Sequence, residues 1–150
     1  MGLFIVAAIV WILFVSRSHP NAAGNPTSAL RPYSQKLFAN ELTVKPAQYY
    51  YQTFTVGNNT LVSPHVVGSF HATGGIGNDI QVVVAEKGEF ENWVNGHQAR
   101  LLYSSGKTTN GRIDVPITEP GTYCLGFSNA FSLLSAKMIS SDIELQYLTH

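Results

Sequence analysis

Cysteine is almost missing: Cys124 is the only one in 150 residues. A single cysteine excludes an intramolecular disulfide and any multi-cysteine zinc site, and it leaves the redox compartment unread. Charge is scarce as well. Charged residues make up 12% of the chain, about half the usual ~25%. Nine Lys and Arg balance nine Asp and Glu. No basic cluster exists to neutralise a phosphate backbone, which argues against nucleic acid as a partner. His19, His65, His71, His97 and His150 never fall at i, i+2 or i, i+4 spacing, whereas a zinc site needs three or four converging ligands. Asp79, Glu86, Glu89 and Glu91 could supply oxygen ligands to Ca²⁺, but no loop has EF-hand spacing, and solvated carboxylates are the expectation. Neither a metal nor a cofactor is therefore expected. Nucleophilic chemistry is equally unmarked: the serines sit in no nucleophile elbow, and Cys124 has no basic residue near it in sequence. Gly74-Gly75-Ile76-Gly77 lacks the Lys-Ser/Thr pair and helix of a phosphate loop and reads as a hairpin turn. The chain is not expected to be an enzyme.

What the sequence does contain begins with an unbroken apolar run, Leu3 to Val15, closed by Ser16, Arg17, Ser18, His19 and Pro20. As a helix the first fifteen residues would span roughly 22 Å, short of the ~30 Å of a hydrocarbon core unless Ser16 to Ser18 join and Arg17 snorkels. Its length suits the apolar region of a signal peptide, although no Lys or Arg precedes it. Residues 1–18 are thus expected to be an N-terminal apolar helix, a transmembrane signal-anchor or a signal peptide. Residues 19–40, rich in proline and small residues at their start, are expected to be a linker.

From about Glu41 the pattern changes to short alternating runs broken by Gly, Asn and Ser. Phe54 and Val56 share one face with Tyr50, while Tyr49 and Tyr51 share the other. Val66, Gly68, Phe70 and Ala72 form one face of a second run, followed by Ile80, Val82 and Val84. Glu86 to His97 is polar and irregular around Phe90, Trp93 and Val94, with room for one short helical turn. Ile113, Val115 and Ile117 alternate with Arg112 and Asp114; Tyr123, Leu125 and Phe127 face one way; Ile139, Ile143, Leu145 and Tyr147 oppose Asp142, Glu144 and Gln146. Seven to eight such strands predict an all-β, antiparallel sandwich over 41–150, each sheet wet on one face.

The order of certain residues within these strands resembles a known family. Val67-Gly68-Ser69-Phe70, Gly74-Gly75 and Asn78-Asp79-Ile80, then Pro120-Gly121-Thr122-Tyr123, Phe127-Ser128-Asn129, Phe131-Ser132 and Lys137, are similar to the two halves of a GOLD (Golgi dynamics) domain. The resemblance implies a β-sandwich used for protein–protein contact, as in early-secretory-pathway cargo receptors and some lipid-transfer proteins. It gives Gly68, Phe70, Asp79, Ile80, Gly121, Tyr123, Phe127, Asn129, Phe131 and Lys137 structural roles. Those receptors carry two cysteines, a coiled coil and a C-terminal membrane span; here Gly126 stands in the place of the second cysteine and the apolar segment is N-terminal.

From the residues alone, Gly68 suits close backbone approach and Gly121 a turn conformation closed to other residues. Asp79 and Asn129 suit hydrogen bonds to loop backbone. Tyr49, Tyr51 and Trp93 are the candidate partner or ligand surface, since exposed aromatics anchor proteins or stack on sugars. The expected function is a non-enzymatic interaction module with a protein partner. The N-terminal segment would hold it to a membrane, single-pass and extracytoplasmic, or leave it secreted once cleaved. The rival expectation is a carbohydrate- or small-ligand-binding accessory sandwich.

Overall fold

A computed structural model describes residues 29–57 and 62–149. The expected N-terminal apolar helix lies outside the described residues. Among those residues, no helix is long and apolar enough to cross a membrane.

The described chain is a β-sandwich of two antiparallel four-stranded sheets. Its elements in order are β1 (Arg31–Val44), β2 (Tyr49–Val56), β3 (Val62–Thr73), β4 (Ile80–Glu86), α1 (Lys87–Val94), β5 (Tyr103–Thr108), β6 (Asn110–Pro116), β7 (Gly121–Ser128) and β8 (Lys137–Thr149). One sheet runs β1-β8-β3-β6 and the other β2-β7-β4-β5. The chain therefore changes sheet at every connection except β4 to β5, where α1 intervenes. Gly74 to Asn78 consequently joins strands of different sheets and is a crossover, not the expected hairpin turn.

The linker expected over 19–40 ends earlier, because β1 already runs antiparallel to β8 from Arg31↔Thr149 to Val44↔Lys137. Two features hide this strand. Its first six residues are all exposed, and the register shifts between Lys36 and Phe38, so the neighbours Leu37 and Phe38 are both buried. A bulge of this kind breaks the period of two by which strands are recognised.

The inner faces follow the predicted alternation. Val66, Phe70 and Ala72 of β3, Ile113 and Val115 of β6, and Ile139, Ile143 and Leu145 of β8 meet Phe54, Val56, Ile80, Val82, Val84, Tyr123, Leu125 and Phe127 across the sandwich. Phe127 is fully buried, with Phe38 edge-on at 5.1 Å and Phe70 at 6.4 Å between ring centroids. Burial of each such ring contributes about 1.5–3 kcal/mol.

Pairing of Val44 and Thr73 with the start of β8, and of Ile80 with Thr108, brings four connections to one end. These are the β1–β2, β3–β4, β5–β6 and β7–β8 loops, which together form the loop end. Arg31 and Thr149 lie at the other end.

Gly68 tests the contact between β3 and β8. It has φ +153°, and an added Cβ would lie 2.2 Å from the backbone oxygen of Asp142. Gly96 has φ +75° with nothing within 4 Å of such an atom. Gly96→Ala should cost about 1 kcal/mol in urea unfolding, the penalty of left-handed backbone alone. Gly68→Ala should cost on the order of 3 kcal/mol, because backbone must move. Equal losses would show that the close approach carries no weight.

Candidate functional site

Three surfaces hold the chemistry of this sandwich, and the first is the outer face of the β2-β7-β4-β5 sheet. The short helix α1 lies on it, with Glu89 in its first turn, where a carboxylate suits the helix dipole. Glu89 also accepts a hydrogen bond from the Arg100 N–H at 2.7 Å, which ties the chain beyond the helix back to it. Phe90 is the buried anchor and packs with Val83, Ala85 and Cys124 in a second small core. Gly126 makes room for it: an added Cβ there would lie 2.6 Å from the Phe90 ring. Strand β7 is thus covered on both faces, and Cys124 is buried although it points away from the main core. Burial pushes the Cys124 thiol up from its usual pKa, with Glu91 adding to the shift, so the reactive thiolate is disfavoured.

The predicted Tyr49, Tyr51 and Trp93 come together on this face. Tyr51 stacks obliquely on Phe90 at 5.2 Å, Phe90 on Trp93 at 5.6 Å, and Trp93 meets Tyr49 edge-to-face at 5.4 Å. Tyr49 and Trp93 are half-buried, whereas Tyr51 is 56% exposed. A cavity of about 110 Å³ opens beside them, lined by Tyr51, Lys87, Phe90, Glu91, Val94, Asn95 and Cys124. It is too small for most ligands, which occupy ~300 Å³ or more, but it could take one apolar side chain. Phe90, the residue that joins the three, was legible only as an apolar residue in an irregular stretch.

The second locus is the loop end, where the family-like residues gather. Asn129 is fully buried, and its Nδ2 donates to Val44 O and Lys45 O at 3.2 Å and to Ser135 O at 2.8 Å. Lys137 is only 1% exposed; its Nζ lies 3.3 Å from Asp79 Oδ1 and 3.4 Å from the Ile76 carbonyl. Asp79 therefore serves an ion pair rather than the loop backbone. Asn78 takes the backbone role, accepting from Gly74 N–H at 2.9 Å. Phe131 is half-buried under Lys107, whose Nζ sits 4.5 Å from its ring centroid. Gly68, Phe70, Ile80, Tyr123 and Phe127 lie in or against the core. Tyr123 also donates its hydroxyl to Glu119 O at 2.7 Å, holding the turn before β7. Gly121 differs from expectation. It opens β7 outside the left-handed region, and an added Cβ would meet only the Tyr123 ring at 3.6 Å. Pro120 and the Tyr123 hydroxyl bond shape this turn, not glycine's conformational freedom.

The third surface is the outer face of the β1-β8-β3-β6 sheet, with an open groove of about 560 Å³ lined by polar and apolar side chains alike. His65 Nδ1 lies 3.0 Å from Asp114 Oδ1 there, and beside it on the same sheet Lys36 bridges Asp142 and Glu144. The Glu144 carboxyl is held below its usual pKa by the hydrogen bond from Gln146, with Lys36 next in effect. Tyr33 and Tyr147 meet at a tilt of 36°, 5.1 Å between ring centroids, at its rim. This groove escaped sequence reasoning because Tyr33, Ser34 and Lys36 fell in the supposed linker.

The acidic residues considered for Ca²⁺ do not converge: Asp79 faces Lys137, Glu89 the Arg100 amide, and Glu91 Lys87 at 3.5 Å. Among the described residues, no group of three His, Cys, Asp or Glu is placed to hold a metal ion. Fold and surfaces together define an antiparallel β-sandwich with a helix-covered aromatic face. No protein-family model matches the chain, and no curated protein matches it.

Two measurements follow from this geometry. Asn129→Ala, which takes the amide donor from three carbonyls at once and leaves Ser135 O only its bond from Ser132, should lower unfolding free energy by at least about 2 kcal/mol; a loss within the scatter of surface changes would refute the role assigned to this amide. Cys124 should react with a thiol reagent only as fast as the sandwich opens, so stabilising osmolytes should slow labelling. Rapid labelling under native conditions would show that α1 does not cover it.

Proposed function

We propose that this chain is a GOLD-like, non-enzymatic interaction module. Its N-terminal segment anchors it to a membrane with the sandwich on the extracytoplasmic side, or is cleaved and leaves it exported. Its partner is another protein. The observation that carries this reading is the joined aromatic face of Tyr49, Tyr51 and Trp93, fixed from below by Phe90. Aromatic rings held rigid at half exposure lose little entropy on binding, and such rings dominate the energetics of protein interfaces. The face also borders β2, an edge strand with no charged residue and no proline. Edge strands normally carry such residues to block further pairing, so β2, whose outer edge pairs with no strand among the described residues, suits a partner strand. The buried positions of Phe70, Tyr123, Phe127, Asn129 and Lys137 agree with the structural roles that the family resemblance gives them.

The groove on the opposite sheet favours a second reading, a carbohydrate- or small-ligand-binding accessory sandwich. The paired, tilted rings of Tyr33 and Tyr147 beside Glu144, Gln146, His65 and Asp114 offer aromatic faces with hydrogen-bonding groups of both kinds.

The two readings separate by residue. With a photo-crosslinking amino acid at position 51 in native membranes, one discrete protein adduct should form, and Trp93→Ser should reduce it by at least about tenfold. The same probe at Ser69, on the opposite sheet, should give none. No adduct at position 51 above that at 69 would sink the protein-binding reading. Glycan-array binding that is lost on Glu144→Gln and kept on Trp93→Ser would establish the second reading instead.

A further inference from the structure

The loop end carries three aliphatic side chains that the sandwich does not use. Ile76 is 98% exposed, Leu134 93% and Leu133 80%. Isolated exposed apolar residues are ordinary, but three at one end of a small domain are a surface feature. They stand on two adjoining loops. A Cβ added at Gly75 would lie 2.4 Å from the Ser135 Cβ, and Lys137 Nζ reaches the Ile76 carbonyl from β8.

These tips are held, not loose. Ser132 Oγ donates to Ser135 O at 3.1 Å and accepts from Ser135 N–H at 3.3 Å, closing a small turn with Leu133 and Leu134 at its apex. Asn129 fixes the same loop at its base through Ser135 O. Across the end, Thr109 Oγ1 lies 3.4 Å from Gly77 O, joining the β5–β6 connection to the loop of Ile76. Pre-positioned side chains save the ordering cost of binding.

Charge at this end is one-sided. Lys45 follows β1 and Lys107 precedes the β5–β6 connection, and both are exposed. The four connecting segments, 45–48, 74–79, 109 and 129–136, contain one carboxylate, Asp79, and it is taken up by buried Lys137. Protein hot spots favour Trp, Tyr and Arg in a flat, fillable centre. Here the tips are aliphatic, they protrude, and they are rimmed by lysine, which is the chemistry of an interfacial lipid contact.

We infer that the loop end of the sandwich docks on a lipid bilayer with anionic headgroups, with Ile76, Leu133 and Leu134 entering the interfacial layer while Lys45 and Lys107 meet the headgroups. This contact differs from the aromatic face, which α1 forms on the outer side of the β2-β7-β4-β5 sheet.

The test uses the full chain in vesicles of phosphatidylcholine with or without phosphatidylserine. Leu134→Cys is labelled with an environment-sensitive fluorophore, Cys124 being buried, and quenching by doxyl-labelled lipid is read. Quenching should be strong with phosphatidylserine present. Ile76→Ser with Leu133→Ser should lower the inserted fraction at least about tenfold. Lys45→Gln and Lys107→Gln should each lower it about fivefold, and only in vesicles with phosphatidylserine. Unchanged thermal unfolding of these surface variants separates lost docking from lost folding. A label that stays unquenched in both lipids, or quenching indifferent to Ile76 and Leu133, overturns the inference. So does a label shielded by a co-purified protein and not by lipid. None of these outcomes bears on the crosslink at Tyr51.

Discussion

The arrangement of the loop end depends on one carboxamide. Asn129 follows the last residue of β7, and its side chain reaches the last carbonyl of β1, the turn that leads into β2, and the loop that leads into β8. Its backbone joins in: Asn129 N–H donates to Gln48 O at 2.9 Å, and Ala47 N–H donates to Asn129 O at 3.2 Å and Ser132 O at 2.8 Å. Strands of both sheets are thereby tied where the sandwich would otherwise be free to splay. The Asn129 Nδ2 so engaged offsets the roughly 1–3 kcal/mol penalty that an unpaired carbonyl would carry, while its own Oδ1 is buried without a partner among the described residues. A hydrophobic residue in its place could fill the volume but could satisfy none of the three.

Strand β7 explains the division of labour between the faces. Tyr123, Leu125 and Phe127 fill the main core, and Cys124 with Gly126 forms the floor on which α1 rests. Small residues on the outer face allow Phe90 to approach the strand closely, and Phe90 in turn props Tyr51 and Trp93. The aromatic face is therefore a by-product of a second core and inherits its rigidity. On the opposite sheet no helix intervenes among the described residues, and of the outer residues of β8, Asp142 and Gln146 stay in water while Glu144 is half-buried, as an antiparallel sheet allows.

Much of this was legible from alternation alone. Ile113 with Val115, Tyr123 with Leu125 and Phe127, and Ile139 with Ile143 and Leu145 occupy the core positions that a period of two assigns them. What escaped detection lacked that signal. Leu37 and Phe38 point inward together at a bulge, so β1 looks like linker. Phe90 and Trp93 sit on a helix of only eight residues, too short to display a period of its own, so the expected short turn was legible but the anchoring role of Phe90 was not. The pairing of Lys137 with Asp79 joins positions far apart in the chain, so no local pattern marks it, although each residue stands out singly. Gly121 misled for the reverse reason: Pro-Gly is a strong local turn signal, yet here the tyrosine three residues after the proline provides the closure.

Lys137 shows how the motif residues and the exposed tips are connected. A buried lysine sacrifices its hydration, and an ion pair with a partly exposed carboxylate rarely repays that loss against a well-packed apolar residue. Stability alone does not account for a lysine here. Position does: from β8 the ammonium is the one group that contacts both Asp79 and the Ile76 carbonyl, at the root of the loop that projects Ile76 into solvent. An apolar side chain could fill the same space but could not orient that carbonyl. Asn129 treats the neighbouring loop alike, holding Ser135 O beneath Leu133 and Leu134. Lys137 thus spends stability, and Asn129 lends its buried amide, to fix two loops whose apolar tips face outward. That expense is intelligible when the tips, and not the core, are what the loop end is built to present.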